Sequence, residues 1–275
     1  MDTNMEKEYG NLKFLLPVYI LVDTSYSMLN EKIESVKVAL QVIKKDLAEI
    51  NLNENIDTEI RISVMSFNDT ARWLCELALP DAVTTNQLSV TGCTAMGKAF
   101  DLLETALHSS YMRQHVSDVA GFMHPVVIIL TDGMPTDYDN GEFSSALNKL
   151  KLNNWFVTAQ RHAFACYTEP KEADDVKLRL AEFTGTPRAV YEVNNDAIFQ
   201  YLLPYITKKT SQTNSQLGSS MAQEKWDSNV AAIEAVAEKA AQAVPLYTKG
   251  NDDIDEDAIQ DAFADFGQVP QPLPQ

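Results

Sequence analysis

The apolar residues of this chain alternate between short continuous runs and longer stretches with a helical period. Residues 15–22 are almost all apolar, as in a central strand that is buried on both faces. Residues 33–50 have apolar side chains at steps of three and four, which is typical of an amphipathic helix. Residues 59–67 alternate in the manner of a strand, and residues 71–79 are predicted to form a short antiparallel strand near the edge.

The same alternation of element types continues towards residue 208. A helix is predicted after Thr94, and residues 125–130 give the strongest strand signal in the chain. The remaining predicted elements are helices over residues 143–152, 173–183 and 196–208 and strands over residues 162–167 and 189–193. Alternating strands and helices favour a mostly parallel sheet that is covered on both faces. The predicted fold class is therefore α/β, doubly wound and Rossmann-like, with one antiparallel edge strand.

Composition divides the 275 residues into three parts. Residues 1–13 form a polar N-terminal arm, and residues 14–209 form the α/β domain. Residues 210–275 read as a linker, an Ala-rich helix and an acidic tail whose composition predicts flexibility. We therefore expect one domain with a polar extension at each end.

The charge and the cysteine count exclude several classes of function. A net charge of −17 argues against nucleic acid and anionic membranes as partners, because both attract clustered Lys and Arg. Cys75, Cys93 and Cys166 are too few and too widely spaced for a disulfide framework or a zinc site. The N-terminus lacks the pattern of a signal peptide, and no apolar run reaches the roughly 20 residues that span a bilayer. We expect a cytoplasmic protein in a reducing compartment.

Oxygen-bearing side chains gather where predicted strands end. Asp23, Ser25 and Ser27 follow the first strand at alternate positions, Thr94 opens a helix, and Asp132 ends the strongest strand. In a doubly wound sheet, ligands bind at the carboxyl ends of the strands. Because hard divalent cations prefer oxygen ligands, the sequence predicts a cation site built from three loops.

These segments together resemble the metal-ion-dependent adhesion site (MIDAS) of von Willebrand factor type A (VWA) domains. The family pattern is Asp-x-Ser-x-Ser, then a Thr, then a strand-terminal Asp that Gly usually follows. The chain has Asp23-Thr24-Ser25-Tyr26-Ser27, then Thr94, then Thr131-Asp132-Gly133. The resemblance covers residues 14–209, and it departs from many members at Tyr26, where they have Gly.

The resemblance implies a Mg²⁺ ion, with Mn²⁺ or Ca²⁺ as alternatives. It also implies five protein ligands, which are the hydroxyls of Ser25, Ser27 and Thr94 and the carboxylates of Asp23 and Asp132, direct or through water. Because two of the five ligands are charged, the ion would keep residual positive charge and an open position. An Asp or Glu of a partner protein would fill that position.

Residues 129–137 are similar to the bacterial tellurite-resistance-associated (TerY-like) branch of the family. That similarity implies a stress-response setting, with a kinase or phosphatase of the same system as the partner. We hypothesise that one carboxylate of the acidic run at residues 252–257 reaches the open metal position. Truncation after Ser220 would test this hypothesis.

Four residues are candidates for a rim around the site where the partner binds, namely Tyr26, Asp69, Cys93 and Asp137. Each also has a structural interpretation. Asp69 suits a turn, Cys93 suits a tight loop, and Asp137 suits a helix cap or a solvated surface. Tyr26 is a bulky residue beside the site and would influence which partner fits.

The alternative hypothesis is an enzyme, namely a Mg²⁺-dependent phosphohydrolase with Asp23 as nucleophile. Such haloacid-dehalogenase-like enzymes need a second acid two residues later, where this chain has Ser25. They also need a phosphate-binding lysine, for which Lys149 and Lys151 are weak candidates. The chain has no Walker-type loop, no Gly-x-Ser-x-Gly elbow and no His-based triad. We therefore predict a non-enzymatic adaptor that binds a protein through a metal ion.

Overall fold

The computed structural model of the protein describes residues 13–53, 57–85, 87–166, 171–193, 203–204 and 206–211. The strands are β1 (Phe14–Asp23), β2 (Thr58–Phe67), β3 (Ala71–Ala78), β4 (Gly121–Phe122), β5 (Val126–Thr131), β6 (Gln160–Cys166) and β7 (Val190–Val193). The helices are α1 (Glu31–Asn51), α2 (Met96–Ala106), α3 (Ser109–His115), α4 (Glu142–Lys151), α5 (Asn154–Val157) and α6 (Ala173–Thr184). Residues 203–204 and 206–211 are also helical.

The seven strands form one sheet in the order β3-β2-β1-β5-β6-β7, with β4 paired to the start of β1. Among the described residues, only the edge pair β2–β3 is antiparallel, and the other strand pairs are parallel. This arrangement confirms the predicted mostly parallel sheet with one antiparallel edge strand. The central position of β1, between β2 and β5, brings the loop after Asp23 to the middle of one sheet edge.

Strand β1 is buried on both faces, because helices cover the sheet on both sides. Leu16, Val18 and Ile20 point into a core that includes the apolar stripe of α1. Leu15 and Tyr19 point the other way, into a core that α2, α4 and α6 share. Successive side chains of a strand alternate between its faces, so a strand with helices on both sides must be apolar throughout. This requirement explains the continuous apolar run that predicted the strand.

Some short elements were not predicted from the sequence. Helix α3 spans seven residues, helix α5 spans four and strand β4 spans two, so none is long enough for a clear period. The last described helix continues past Lys208, and Thr210 is buried at its end. The hydroxyl of Thr210 lies 3.2 Å from Nε2 of the buried His162 in β6, and this contact attaches the helix to the sheet.

Several sequence predictions fall outside the described residues. They concern the N-terminal arm up to residue 12, and the linker, the Ala-rich helix and the acidic run within residues 212–275. In the part of the chain that the structure describes, no helix has both the length and the apolar character that crossing a membrane requires.

Candidate functional site

The site lies at the carboxyl ends of β1 and β5, which are parallel neighbours at the centre of the sheet. Because parallel neighbours end at the same edge, Asp23 at the end of β1 comes next to Thr131 at the end of β5. The Thr131 hydroxyl donates a hydrogen bond of 2.6 Å to Oδ2 of Asp23. Asp132 follows Thr131 directly, so the topology brings both predicted acidic ligands to one edge.

Asp23 is fully buried and is held by two hydrogen bonds. Its Oδ1 accepts a bond of 2.8 Å from the Ser25 amide, in addition to the bond from Thr131 to Oδ2. Burial raises the pKa of Asp23 to about 6, although these hydrogen bonds oppose the shift, and the charge of Asp132 adds a smaller increase. Keeping the Asp23 carboxylate ionised therefore costs free energy unless a cation lies nearby.

The two serines and Asp132 form a hydrogen-bonded chain. The Ser27 hydroxyl donates to Oδ1 of Asp132 at 2.7 Å, and the hydroxyl oxygens of Ser25 and Ser27 are 3.0 Å apart. The other carboxylate oxygen of Asp132, Oδ2, accepts a bond of 2.7 Å from Nζ of Lys32. Both oxygens of Asp132 are thus engaged by groups from the loop after β1 and the first turn of α1.

Thr94 belongs to a third loop, which backbone hydrogen bonds hold against the other two. The amide of Thr91 donates to the carbonyl of Thr24 at 2.8 Å, and the amide of Tyr26 donates to the carbonyl of Gly92 at 3.0 Å. On the other side, the amide of Thr136 donates to the carbonyl of Thr94 itself at 2.9 Å. The Thr94 loop therefore lies between the segment after β1 and the segment after β5.

Asp69 fixes the conformation of the Thr94 loop. Its Oδ1 accepts a hydrogen bond of 3.0 Å from the amide of Cys93. The preceding residue, Gly92, has a φ of +72°, and a Cβ added there would lie 2.1 Å from Oδ2 of Asp69. Only a residue without a Cβ allows this close approach, so Gly92 and Asp69 together set the position of Thr94.

We expect Gly92→Ala to destabilise the protein by about 1–3 kcal/mol, because Ala would combine a left-handed backbone with a steric clash. The same substitution should also weaken binding of a divalent ion, since the Thr94 loop would have to shift. Gly133→Ala is the matched control, because a Cβ at Gly133 would meet no atom within 4 Å. Urea unfolding of both variants checks the prediction, and equal loss in the two variants would contradict it.

The four predicted rim residues differ in their exposure. Tyr26 is 67% exposed, and Asp69 and Cys93 are also exposed beside the Thr94 loop. Asp137 is instead buried, and its Oδ2 accepts a hydrogen bond of 2.7 Å from the amide of Gly97 in the first turn of α2. Burial raises the pKa of Asp137. Asp137 therefore holds the start of α2 and is not a surface residue of the rim.

Lys32 is the site residue that sequence reasoning missed. It is the second residue of α1 and lies between two acidic residues of the same turn, Glu31 and Glu34. The partial positive charge at a helix N-terminus favours acidic residues and disfavours a lysine. A lysine in this turn was therefore a signal that a specific anionic partner lies nearby, and that partner is Asp132.

The residues at this edge fit a hard divalent cation. Among the described residues, no group of three or more His, Cys, Asp and Glu side chains has the arrangement of a metal site. The site has two carboxylates, and hydroxyl groups supply its other oxygens, a set that suits Mg²⁺, Mn²⁺ or Ca²⁺ better than softer metals. The ammonium group on Oδ2 of Asp132 is a cation bound at the same carboxylate.

A sequence profile of the von Willebrand factor type A domain matches residues 18–203. The chain belongs to this family. The matched VWA segment contains all five predicted ligands, from Asp23 to Asp132, and covers more than half of the chain. Membership confirms the family that the spaced motif indicated, and VWA domains commonly mediate protein–protein interaction.

Solved structures with a similar fold include three bacterial proteins. A von Willebrand factor type A protein from Catenulispora acidiphila aligns with 72% of this chain and 43% of its own, at 16% identity and a TM-score of 0.50. The pilus adhesin SpaC from Lactobacillus rhamnosus GG aligns with 74% of this chain and 32% of its own, at 13% identity and a TM-score of 0.57. A mutant of the PilB minor pilin from Streptococcus sanguinis aligns with 74% of this chain and 63% of its own, at 14% identity and a TM-score of 0.55.

At these identities, the similarity establishes the fold alone. The chain also spans less than two thirds of each of these three relatives. No curated protein matched the chain.

Proposed function

We propose that this VWA domain is an adaptor that binds a carboxylate of a partner protein through a divalent ion. The observation that supports this most is the hydrogen-bonded chain from Lys32 through Asp132 to Ser27 and Ser25. It joins a cation, a buried carboxylate and two hydroxyls at one sheet edge.

Mg²⁺ is the proposed ion, and Asp23, Ser25, Ser27, Thr94 and Asp132 are the residues that would hold it. When bound, it would supply a positive docking point for an anionic group. Asp23 is buried and held by two hydrogen bonds, which keeps its carboxylate in place before any ion arrives. The two Asp carboxylates formally balance a doubly charged ion, so the net positive charge at the site would come from the ammonium group of Lys32, while the open coordination position of the ion would take the partner carboxylate.

The proposed rim consists of Tyr26, Asp69 and Cys93. Leu29 is 49% exposed two residues beyond the motif, so Tyr26 and Leu29 present apolar surface next to the site. A partner segment with an Asp or Glu beside an apolar residue would match both features. Aromatic anchors such as tyrosine contribute strongly to many protein interfaces.

We propose that the protein is not an enzyme. The contacts of Ser25 and of the candidate lysines support a binding role over a phosphohydrolase. Ser25 stands where a haloacid-dehalogenase-like enzyme needs its general acid, and its hydroxyl contacts Ser27. Lys149 forms ion pairs with Asp101 and Glu104, on the α2 surface. Lys32 would meet the need for a lysine, but a serine cannot replace the acid. Turnover of p-nitrophenyl phosphate that Asp23→Asn removes would favour the enzyme instead.

The proposed setting is a bacterial stress response of the tellurite-resistance type, in the cytoplasm. It is supported by the similarity of residues 129–137 to the TerY-like branch. A kinase or phosphatase of the same system is the proposed partner. Its surface would have to present an Asp or Glu that can approach Tyr26 and the metal.

Affinity purification from the native host, with Mg²⁺ and with EDTA, tests the proposed function. The wild-type chain should retain a specific partner only with Mg²⁺, and Asp132→Asn should retain it under neither condition. Cross-linking followed by mass spectrometry should then locate an acidic residue of the partner near Tyr26. A partner that stays bound to the variant and in EDTA would overturn the proposal.

Binding of the divalent ion should weaken as the pH falls below about 6, the pKa to which burial raises Asp23. The ion has to displace the proton of Asp23 below this pH, so the affinity should drop by about tenfold per pH unit. Calorimetric titration with Mn²⁺ at pH 7.5, 6.0 and 5.0 measures the effect. An affinity that stays constant over this range would show that Asp23 does not contact the ion as a carboxylate.

A further inference from the structure

We propose that Lys32 is an internal cation that competes with the divalent ion for Asp132 and thereby lowers the metal affinity of the site. This inference rests on the proposed function, because it assumes that the five predicted residues bind a divalent ion. It adds a regulating residue outside the family's Asp-x-Ser-x-Ser, Thr and Asp pattern.

The contacts of Asp132 make the competition direct. Oδ1 accepts from Ser27 and Oδ2 accepts from Nζ of Lys32, each at 2.7 Å. The side chain of Asp132 is only 1% exposed, whereas that of Lys32 is 28% exposed. An ion that approaches Oδ2 therefore meets an ammonium group already in place. Since Lys32 has a long flexible side chain that reaches solvent, it can leave Oδ2 without moving α1.

The position of Lys32 in α1 indicates that the hydrogen bond to Asp132 holds its ammonium group at the site. The first turn of α1 also contains Glu31 and Glu34, which suit the helix N-terminus as anions. Lys37, one turn later, pairs with Glu34 on the exposed surface at 2.7 Å. Lys32 instead reaches a carboxylate that lies 100 residues away in the chain. Its contact with Asp132 therefore ties Lys32 to the site.

The charges show what Lys32 does in each state. Without an ion, the ammonium neutralises one of the two buried carboxylates, Asp23 and Asp132, whose charges repel each other. With a divalent ion, the two carboxylates are already balanced, and Lys32 leaves one surplus positive charge near the site. Lys32 therefore opposes the divalent ion and favours an incoming carboxylate once the ion is bound.

Calorimetric titration of the full chain with Mn²⁺ alone, at pH 7.5, tests the inference. Lys32→Met keeps the apolar stem and removes the charge, so it should bind Mn²⁺ roughly three- to tenfold more tightly than wild type. Lys32→Arg keeps the charge and should stay within about twofold of wild type. Lys37→Met, which removes a charge from the same helix but not from the site, should also stay within about twofold.

Thermal unfolding gives a second readout that a purely structural role would not reproduce. In EDTA, Lys32→Met should melt below wild type, because two carboxylates then lack a cation. With saturating Mn²⁺, this difference should close or reverse. If Lys32→Met does not fold, Lys32→Gln serves in both measurements, since it also lacks the charge.

The outcomes separate the inference from the proposed function. If wild type binds Mn²⁺ and the uncharged variants bind it equally or more weakly, Lys32 does not compete, and the inference alone is overturned. If wild type binds no Mn²⁺, both the inference and the proposed function are overturned. Tighter binding by the uncharged variants, with Lys32→Arg and Lys37→Met near wild type, supports the inference.

Discussion

Asp132→Asn is expected to abolish binding of a divalent ion while the fold remains intact. The change removes one of the two charged ligands of the ion, so the affinity for the ion should fall by at least about 100-fold. This loss is larger than the loss caused by changing a residue that only orients a metal ligand. Asp132 lies just beyond the end of β5 and its carboxylate oxygens accept hydrogen bonds from Ser27 and Lys32, so we expect core packing to be independent of its charge. Asparagine can still accept a hydrogen bond from Ser27 through its side-chain oxygen.

Titration with Mn²⁺ and thermal unfolding test this expectation together. At an ion concentration about 100 times the dissociation constant, wild type should gain about 2.7 kcal/mol of stability, and the variant should gain none. Asp139→Asn is the matched control, because Asp139 is an exposed acid in the same loop and the change removes the same charge. Retained binding by Asp132→Asn, or equal loss in both variants, would contradict the assigned role.

His162→Gln is expected to make the fold less sensitive to acid. His162 is fully buried in β6, between the hydroxyls of Tyr191 and Thr210, and burial lowers its pKa to about 3. The unfolded chain therefore binds a proton below pH 6.5 that the folded chain excludes until pH 3. Stability from this group is present above pH 6.5 and is lost as the pH falls, by about 2 kcal/mol at pH 5.

Urea unfolding of wild type and His162→Gln at pH 7 and pH 5 measures this difference. Wild type should lose about 2 kcal/mol more than the variant between the two values. Asp23 acts in the opposite sense, because its raised pKa favours the fold at low pH and the benefit disappears as the pH rises through about 6. Both proteins contain Asp23, so its effect cancels. Equal losses in the two proteins would show that His162 is not excluded from protonation in the fold.

The sequence predicted the sheet well because its signals are local. The continuous apolar run of β1 and the stripe of α1 each follow from one element packed in one environment. The spacing of Asp23, Ser25 and Ser27 is likewise local, and Asp132 follows a strand that is easy to recognise. Parallel pairing of β1 with β5 then brings the two acidic segments together without further information.

The features that the sequence did not predict depend on contacts between distant segments. Asp137 follows β5, yet it holds the first turn of α2, because the loop folds back over the Thr94 segment. The ion pair between Lys32 and Asp132 depends on the reach of one side chain across the sheet edge. Strand β4 has two residues, too few to show a period, and is defined by its pairing with the start of β1.

Anomalous diffraction from crystals grown with Mn²⁺ tests most directly the claim that one divalent ion is held by residues of three loops. We expect a strong anomalous peak in contact with Asp23, Ser25, Ser27, Thr94 and Asp132, directly or through water, with Nζ of Lys32 displaced from Oδ2 of Asp132. No peak at this edge of the sheet, or a peak elsewhere that Asp132→Asn does not remove, would contradict it.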